Sequence, residues 1–129
     1  MLVNPPDDLE AMLGAGATFI QKYEPLGLLY IAAVARELGH EVSVIDAYAQ
    51  ELDADQVLEM IEAFEPEVLG FSTLTCHGSA VWRMGKLLKD RHPGMLVILG
   101  NVHAAEFAQQ YVEAGCADLV VHGEGEPAI

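Results

Sequence analysis

The stretch EVLGFSTLTCHGSAVWRMGKLLKDRHPGMLVILG, residues 67–100, decides the fold of this 129-residue chain. It holds two short apolar runs, Val68 to Ser72 and Met95 to Leu99. Between them, apolar residues recur at helical spacing from about His77 to Arg91, and Pro93-Gly94 then turns the chain. The stretch therefore predicts a strand, a helix and a second strand parallel to the first. Because Met95 to Leu99 is apolar throughout, we expect helices on both faces of that strand.

The same alternation continues on both sides of this stretch. Five predicted strands alternate with four predicted helices, which is typical of a parallel sheet inside two helical layers. The chain is therefore predicted to be one α/β domain, residues 1–129, with a doubly wound flavodoxin-like or Rossmann-like sheet in the order 2-1-3-4-5. The strands are predicted at residues 1–4, 41–46, 68–72, 95–99 and 118–121.

Local patterns give more detail around the first two helices. Residues 5 to about 25 form an unusually long connection, which in a compact domain is typically functional or mobile. In the helix that follows, apolar residues from Ile31 to Leu38 recur at a spacing that predicts one buried stripe. Asp53 with Gln56 three residues later predicts a capping box at the start of the second helix.

Composition and charge exclude several functional classes. The hydrophobic fraction is 52%, and the formal charge of −14 disfavours binding to nucleic acid or to an anionic membrane surface. We found neither a membrane-spanning apolar run nor a secretion signal, so a cytoplasmic location is expected. The two cysteines, Cys76 and Cys116, are too few for a disulfide framework and are expected to be reduced.

The carboxyl ends of the five predicted strands meet at one edge of the sheet, where open α/β folds bind their ligands. The loops at this edge are rich in glycine and hydroxyl groups and contain no Lys or Arg. Neither the phosphate-binding pattern G-x-x-x-x-G-K-[ST] nor G-x-G-x-x-G after the first strand is present. The edge is therefore suited to a bulky ligand that approaches backbone amides, and poorly suited to a nucleoside triphosphate.

An ordered set of short motifs resembles the cobalamin-binding N-terminal domain of radical S-adenosylmethionine enzymes. The resemblance covers nearly the whole chain, and its fragments occur in the family's order. They are Val3-Asn4-Pro5-Pro6, Pro25 to Ala33, Gly39-His40-Glu41-Val42, Gly70-Phe71-Ser72, Gly100 to Ala104 and Gly123-Glu124-Gly125-Glu126. The family implies that cobalamin lies against the carboxyl ends of the strands and that a following domain carries an iron–sulfur cluster.

Individual motifs match to different degrees. Cobalamin-binding flavodoxin-like domains generally have D-x-H-x-x-G after the first strand, S-x-L after the third and G-G after the fourth. Ser72-Thr73-Leu74 matches the second motif, and the resemblance implies that its serine hydrogen-bonds the buried nucleotide tail. Gly100-Asn101 keeps only the first glycine of the third motif. The first motif is absent, so no histidine from it would ligate the cobalt.

The sheet edge and the resemblance together define the candidate cofactor-binding residues. We assign no catalytic residue in this chain and no metal ligand, because adjacent Cys76 and His77 have poor spacing for a zinc site. Thr75 is equally suited to cap the third helix. His103 either contacts the corrin or the next domain, or is merely a solvent-exposed hydrogen-bonding residue. The candidates are Asn4, Pro5, Pro6, Asp46, Ser72, Thr73, Leu74, Thr75, Gly100, Asn101, Val102, His103, Gly123, Glu124 and Gly125.

The resemblance implies a cobalamin-binding module of a larger radical enzyme that transfers methyl groups or otherwise remodels a small molecule. S-adenosylmethionine and a 4Fe-4S cluster would belong to the parent enzyme, whose C-terminal radical domain is the expected partner. The chain is expected to be a fragment that is not catalytic alone, with its last helix truncated and some self-association at the fifth strand. Two alternatives remain open: a docking or substrate-positioning domain that no longer binds cobalamin, and a flavin or nucleotide binder.

Overall fold

The computed structural model, which describes residues 1–20 and 23–128, contains a five-stranded parallel sheet. The strand order is 2-1-3-4-5, so the predicted flavodoxin-like α/β topology is confirmed. The second and fifth strands are shorter than predicted. The strands are β1 Leu2–Asn4, β2 Val44–Asp46, β3 Val68–Ser72, β4 Leu96–Gly100 and β5 Leu119–Val120.

Helices lie on both sides of the sheet. The helices are α1 Leu9–Leu13, α2 Leu26–Glu37, α3 Ala54–Phe64, α4 Gly78–Arg91, α5 Val102–Glu106 and α6 Ala108–Glu113. The long connection after β1 contains α1 and a 3-10 segment, Gly14–Phe19. The predicted fourth helix is interrupted at Phe107, which has φ −108° and ψ 23°. The predicted capping box of Asp53 and Gln56 is present at the start of α3. No helix among the described residues is both long and apolar enough to span a bilayer.

The hydrophobic core lies on one face of the sheet, which we call the sealed face. Alternate strand residues point into it and are almost completely buried, since side chains in a strand alternate between faces. Residues of α3, α4, α5 and α6 pack against them. The strand residues of the sealed face are Val3, Ile45, Leu69, Phe71, Val97 and Leu99.

The opposite face, which we call the open face, is only half covered. It carries the intervening residues of β1, β3 and β4, and among them Leu2, Gly70 and Ile98 are each only partly buried. On this face the described chain covers β4 only in part, since Leu96 and Ile98 are half-buried. Helix α2 lies on this side, near β1 and β2, and buries Leu28 and Ala32. The predicted buried stripe from Ile31 to Leu38 is therefore wrong in part, because Ile31 is only half-buried and Leu38 is exposed.

One carboxylate joins three elements near β5. Asp118 Oδ2 accepts hydrogen bonds from the backbone amide of Val97 at 2.7 Å and from Lys89 Nζ at 2.9 Å. These bonds connect α4, β4 and the start of β5 in a partly buried setting. Loss of such a partner is destabilising, because the buried amide has given up its hydrogen bond to water and gains no other bond in exchange.

We expect Asp118→Ala to lower the free energy of unfolding by about 1–3 kcal/mol, because the Val97 amide loses its acceptor and Lys89 keeps only the Met95 carbonyl. Urea denaturation followed by circular dichroism measures this change. Asp90→Ala is the control, since Asp90 forms only an exposed pair with Lys86 at 3.8 Å and should cost less than about 1 kcal/mol. Equal effects of the two substitutions would contradict the role given to Asp118.

Candidate functional site

A groove of about 750 Å³ runs along the open face of the sheet, beside α2. This volume lies within the range of pockets that hold small molecules and cofactors. Residues of β3 and β4 form its floor, α2 forms one wall, and the loop after β5 forms another. The lining includes Gly27, Leu28, Ile31, Gly70, Ser72, Ile98, Gly100, Asn101, Val121, Gly123, Glu124 and Gly125.

Two glycines of the floor differ in what lies above them. A Cβ atom at Gly70 would meet Leu2 Cδ2 at 2.8 Å, so Leu2 already fills the space over this residue. A Cβ atom at Gly100 would meet nothing within 4 Å. The floor is therefore open at the carboxyl end of β4, where a ligand can approach the backbone closely.

The carboxyl ends of β3 and β4 are held together by their register. Ser72 lies opposite Gly100 in the ladder, and the Thr73 amide donates to the Gly100 carbonyl at 2.8 Å. Asn101 Nδ2 donates to Ser72 Oγ at 3.1 Å. The structure thus brings the motif after β3 and the motif after β4 into one contiguous rim. We call Ser72 and Asn101 the rim pair.

Asn101 has a backbone conformation that few residues other than glycine adopt. Its φ is 77° and its ψ is 170°, in a region that strains an L side chain. Its Oδ1 accepts from the Val102 amide at 2.8 Å, which holds the carboxamide at the start of α5. This strain lies at the position where the sequence departs from the G-G motif.

The loop after β5 reaches across to α2. A Cβ atom at Gly125 would lie 2.6 Å from Ile31 Cδ1, so any larger residue would displace the Ile31 side chain. Gly123 has φ of 83°, a left-handed conformation that favours glycine. The two glycines therefore shape the wall of the groove that faces α2.

His77 is a residue whose importance the sequence did not reveal. Its side chain is buried, and its Nδ1 lies 3.1 Å from the Ser72 carbonyl and 3.3 Å from the Leu74 amide. Burial lowers the pKa of the ring, and the bond to the Ser72 carbonyl opposes this effect. His77 thus holds the loop that carries Ser72-Thr73-Leu74. The sequence feature that could have indicated this role is the position of His77 three residues after Leu74, at the start of a helix.

The connection after β1 is anchored on the same loop. The Asp8 amide donates to the Cys76 carbonyl at 2.9 Å, and the Ser79 hydroxyl donates to the Asp8 carboxylate. Burial and the charge of Asp7 raise the pKa of the Cys76 thiol, so the thiol is mostly protonated near neutral pH. The described residues contain no group of three His, Cys, Asp or Glu side chains arranged to hold a metal ion.

The predicted site residues fall into two groups. Six line the groove, namely Ser72, Gly100, Asn101, Gly123, Glu124 and Gly125. The other nine lie outside its lining, namely Asn4, Pro5, Pro6, Asp46, Thr73, Leu74, Thr75, Val102 and His103.

Several members of the second group already have protein partners. Asn4 Nδ2 donates to Asp46 Oδ1 at 2.8 Å, which ties the ends of β1 and β2 together. The His103 ring packs on Phe107 at 4.7 Å between centroids, and a Cβ atom at Gly78 would lie 2.7 Å from its Nε2. Thr73 differs from these residues, because it is fully buried and its hydroxyl has no hydrogen-bond partner within residues 1–20 and 23–128.

The groove has an apolar floor and an acidic border. Among its described lining residues there is no Lys or Arg, whereas five glutamates line it, namely Glu41, Glu65, Glu67, Glu124 and Glu126. Sequence reasoning missed Gly27 and Ile31, which α2 brings into the wall, and Ile98 in the floor. Such a groove suits an uncharged apolar group, with hydrogen-bond donors available at the rim.

The sequence of the chain is similar to those of several known proteins. The sequence model of a family described as "B12 binding domain" matches residues 12–129. The chain is 31% identical over 127 residues to an uncharacterized methyltransferase of Pyrococcus horikoshii, a match covering 98% of this chain and 27% of that protein. It is 29% identical over 113 residues to the anaerobic magnesium-protoporphyrin IX monomethyl ester cyclase of Rubrivivax gelatinosus, covering 86% and 20%.

A third relative is the cobalamin-dependent radical SAM methyltransferase TokK of Streptomyces tokunonensis. It is 34% identical over 74 residues, which cover 56% of this chain and 11% of that protein. This chain therefore spans about a quarter or less of the length of these three relatives.

We expect the stability of the chain to fall between pH 7 and pH 5 through His77. In the unfolded chain the ring titrates near 6.5, whereas in the folded chain its pKa is lower. The unfolded chain thus binds more protons in this interval, so stability is full above pH 6.5 and declines toward the folded pKa.

Urea denaturation at a series of pH values measures this effect. His77→Asn should flatten the decline, because an amide can hydrogen-bond the loop but does not titrate. All other histidines are common to the two proteins, so the difference isolates His77. Parallel pH profiles for the variant and the unsubstituted chain would show that His77 is not responsible.

Proposed function

Since this chain belongs to the B12-binding domain family, we propose that it holds cobalamin with the nucleotide tail in the groove of the open face. One observation carries this location: no atom of the described residues beyond its chain neighbours lies within 4 Å of where a Cβ of Gly100 would stand, at the edge where the strands end. A second cavity, of about 420 Å³, lies away from this edge, around Glu62, Pro66 and His92.

The chemistry of the groove fits the chemistry of the tail. The nucleotide of cobalamin ends in a flat, largely apolar benzimidazole, which suits a floor of glycine and aliphatic residues such as Ile98. Its ribose and phosphodiester carry oxygen acceptors, which suit the donors of Ser72 and Asn101 at the rim. Gly100 and Gly123 permit close approach to the backbone.

The protein's part in this proposal is binding and orientation. Bound cobalamin supplies the cobalt chemistry of methyl transfer, and the chain contributes no acid or base to it. Residues 4–20 contain no histidine, and the rings of His77 and His103 are engaged within the protein. We therefore propose that the cobalt has no histidine ligand from the loop after β1.

For the whole protein we propose a cobalamin-dependent radical enzyme that transfers a methyl group to a small molecule or remodels it. Two of the relatives described above are named as methyltransferases and one as a cyclase. In this proposal a C-terminal domain binds S-adenosylmethionine and a 4Fe-4S cluster. This chain binds cobalamin and orients its corrin ring for that domain.

We expect the 129-residue chain to retain hydroxocobalamin through desalting, with the corrin absorption in the protein fraction. Gly100→Leu should abolish retention, because the added side chain extends into the groove from a Cβ position that has no described atom within 4 Å. Gly94→Leu is the matched control, since Gly94 also has open space but lies in the turn before β4. Thermal denaturation checks that both variants fold.

A folded, unsubstituted chain that retains no corrin absorption would overturn the proposal. That result would favour the docking domain that no longer binds cobalamin. Retention that Gly100→Leu leaves unchanged would overturn the placement of the tail in the groove.

A separate experiment tests the parent enzyme. The product of the full gene, purified without oxygen, should contain iron and sulfide in the amounts of one 4Fe-4S cluster. A full-length protein without iron would reject the radical-enzyme assignment and leave cobalamin binding by this chain intact.

A further inference from the structure

We propose that Asn101 is a specificity-determining residue that distinguishes cobalamin from corrinoids without a nucleotide tail. This inference rests on the proposed function and concerns a side chain in place of the second glycine of the G-G motif. Its carboxamide is placed at the mouth of the groove, where the tail of the ligand would enter.

The conformation of Asn101 is the first observation. A φ of 77° with a ψ of 170° is a backbone state in which glycine is unstrained and asparagine is not. The structure keeps the strained residue because the surroundings fix it on both sides. The Val102 amide binds its Oδ1 at 2.8 Å, and Ser72 Oγ accepts from its Nδ2 at 3.1 Å.

The hydrogen-bonding capacity of the rim pair is the second observation. An asparagine carboxamide has two N–H donors, and the bond to Ser72 uses one of them. The Ser72 hydroxyl accepts that bond and keeps its own proton to donate. The rim pair therefore offers one N–H and one O–H at the groove, both suited to acceptor oxygens.

The surroundings of the rim pair decide which ligand group it recognises. The described lining contains no Lys or Arg, so neutral donors must bind any oxygen that enters the groove. Asn101 is exposed, and its carboxamide is orientated by the protein before a ligand arrives. Oxygens of the ribose and phosphodiester are the acceptors that the tail carries and that cobinamide, which has no nucleotide, lacks.

The test compares hydroxocobalamin with cobinamide in visible-absorption titrations of the unsubstituted chain and of Asn101→Gly. The variant should bind hydroxocobalamin at least about fivefold more weakly, the effect of losing one hydrogen bond. Its affinity for cobinamide should not change. The unliganded variant should melt at the same or a higher temperature, because glycine removes the backbone strain.

Two further variants sharpen the test. Asn101→Asp keeps the acceptor for Val102 but replaces the donor with a carboxylate, so it should weaken hydroxocobalamin binding more than Asn101→Gly does. Glu51→Gly is the control, because Glu51 also has a positive φ, 56°, but does not line the groove. It should leave both affinities unchanged.

Each outcome decides the matter. Equal losses of affinity for the two corrinoids would mean that Asn101 only supports the loop, and unchanged affinities would mean that it contributes nothing; either result overturns the inference. In both cases the unsubstituted chain still binds hydroxocobalamin, so the proposed function survives. Failure of the unsubstituted chain to bind it would overturn both.

Discussion

The pairing of β3 with β4 is the constraint on which the rest of the structure depends. Its register sets Ser72 opposite Gly100, and the Thr73 amide continues the contact one residue further. A shift by one residue would exchange the two faces of a strand. Leu69, Val97 and Leu99 would then leave the core, and the glycines would leave the groove. The packing of the hydrophobic core thus fixes the strand register, and the register places the groove residues.

The unequal covering of the two faces gives the fold its site. Four helices seal one face, and their packing provides a rigid support for the loops at the carboxyl ends of the strands. On the other face, α2 and the loop after β5 leave a groove between them. A ligand in that groove would meet a floor whose position is set by the core behind it. Preorganisation of this kind reduces the cost of binding.

Small residues and strained residues have complementary parts in this site. Gly100 leaves space for a ligand, and Gly125 lets the loop after β5 approach Ile31. Asn101, in contrast, carries a side chain at a position whose backbone conformation favours glycine. Strained positions of this kind tend to concentrate at functional sites. His77 supports the same rim from inside, through the Ser72 carbonyl.

The sequence by itself determined the sheet, its strand order and the edge where the loops meet. Those features follow from local periodicity and from the handedness of the connections, which act over short distances along the chain. The six predicted residues that line the groove were found in this way, through their place after a strand. Family membership was likewise visible in the ordered motifs.

Only the tertiary structure decided which loop residues reach the groove. The pairing of Asn4 with Asp46 and the packing of His103 on Phe107 join residues that lie in different elements or depend on side-chain orientation. The open face of β4 could not be read from an apolar run, because Leu96 to Leu99 looks the same whether one face is covered or both. Burial is a property of the neighbours that the fold brings together, and no local pattern encodes it.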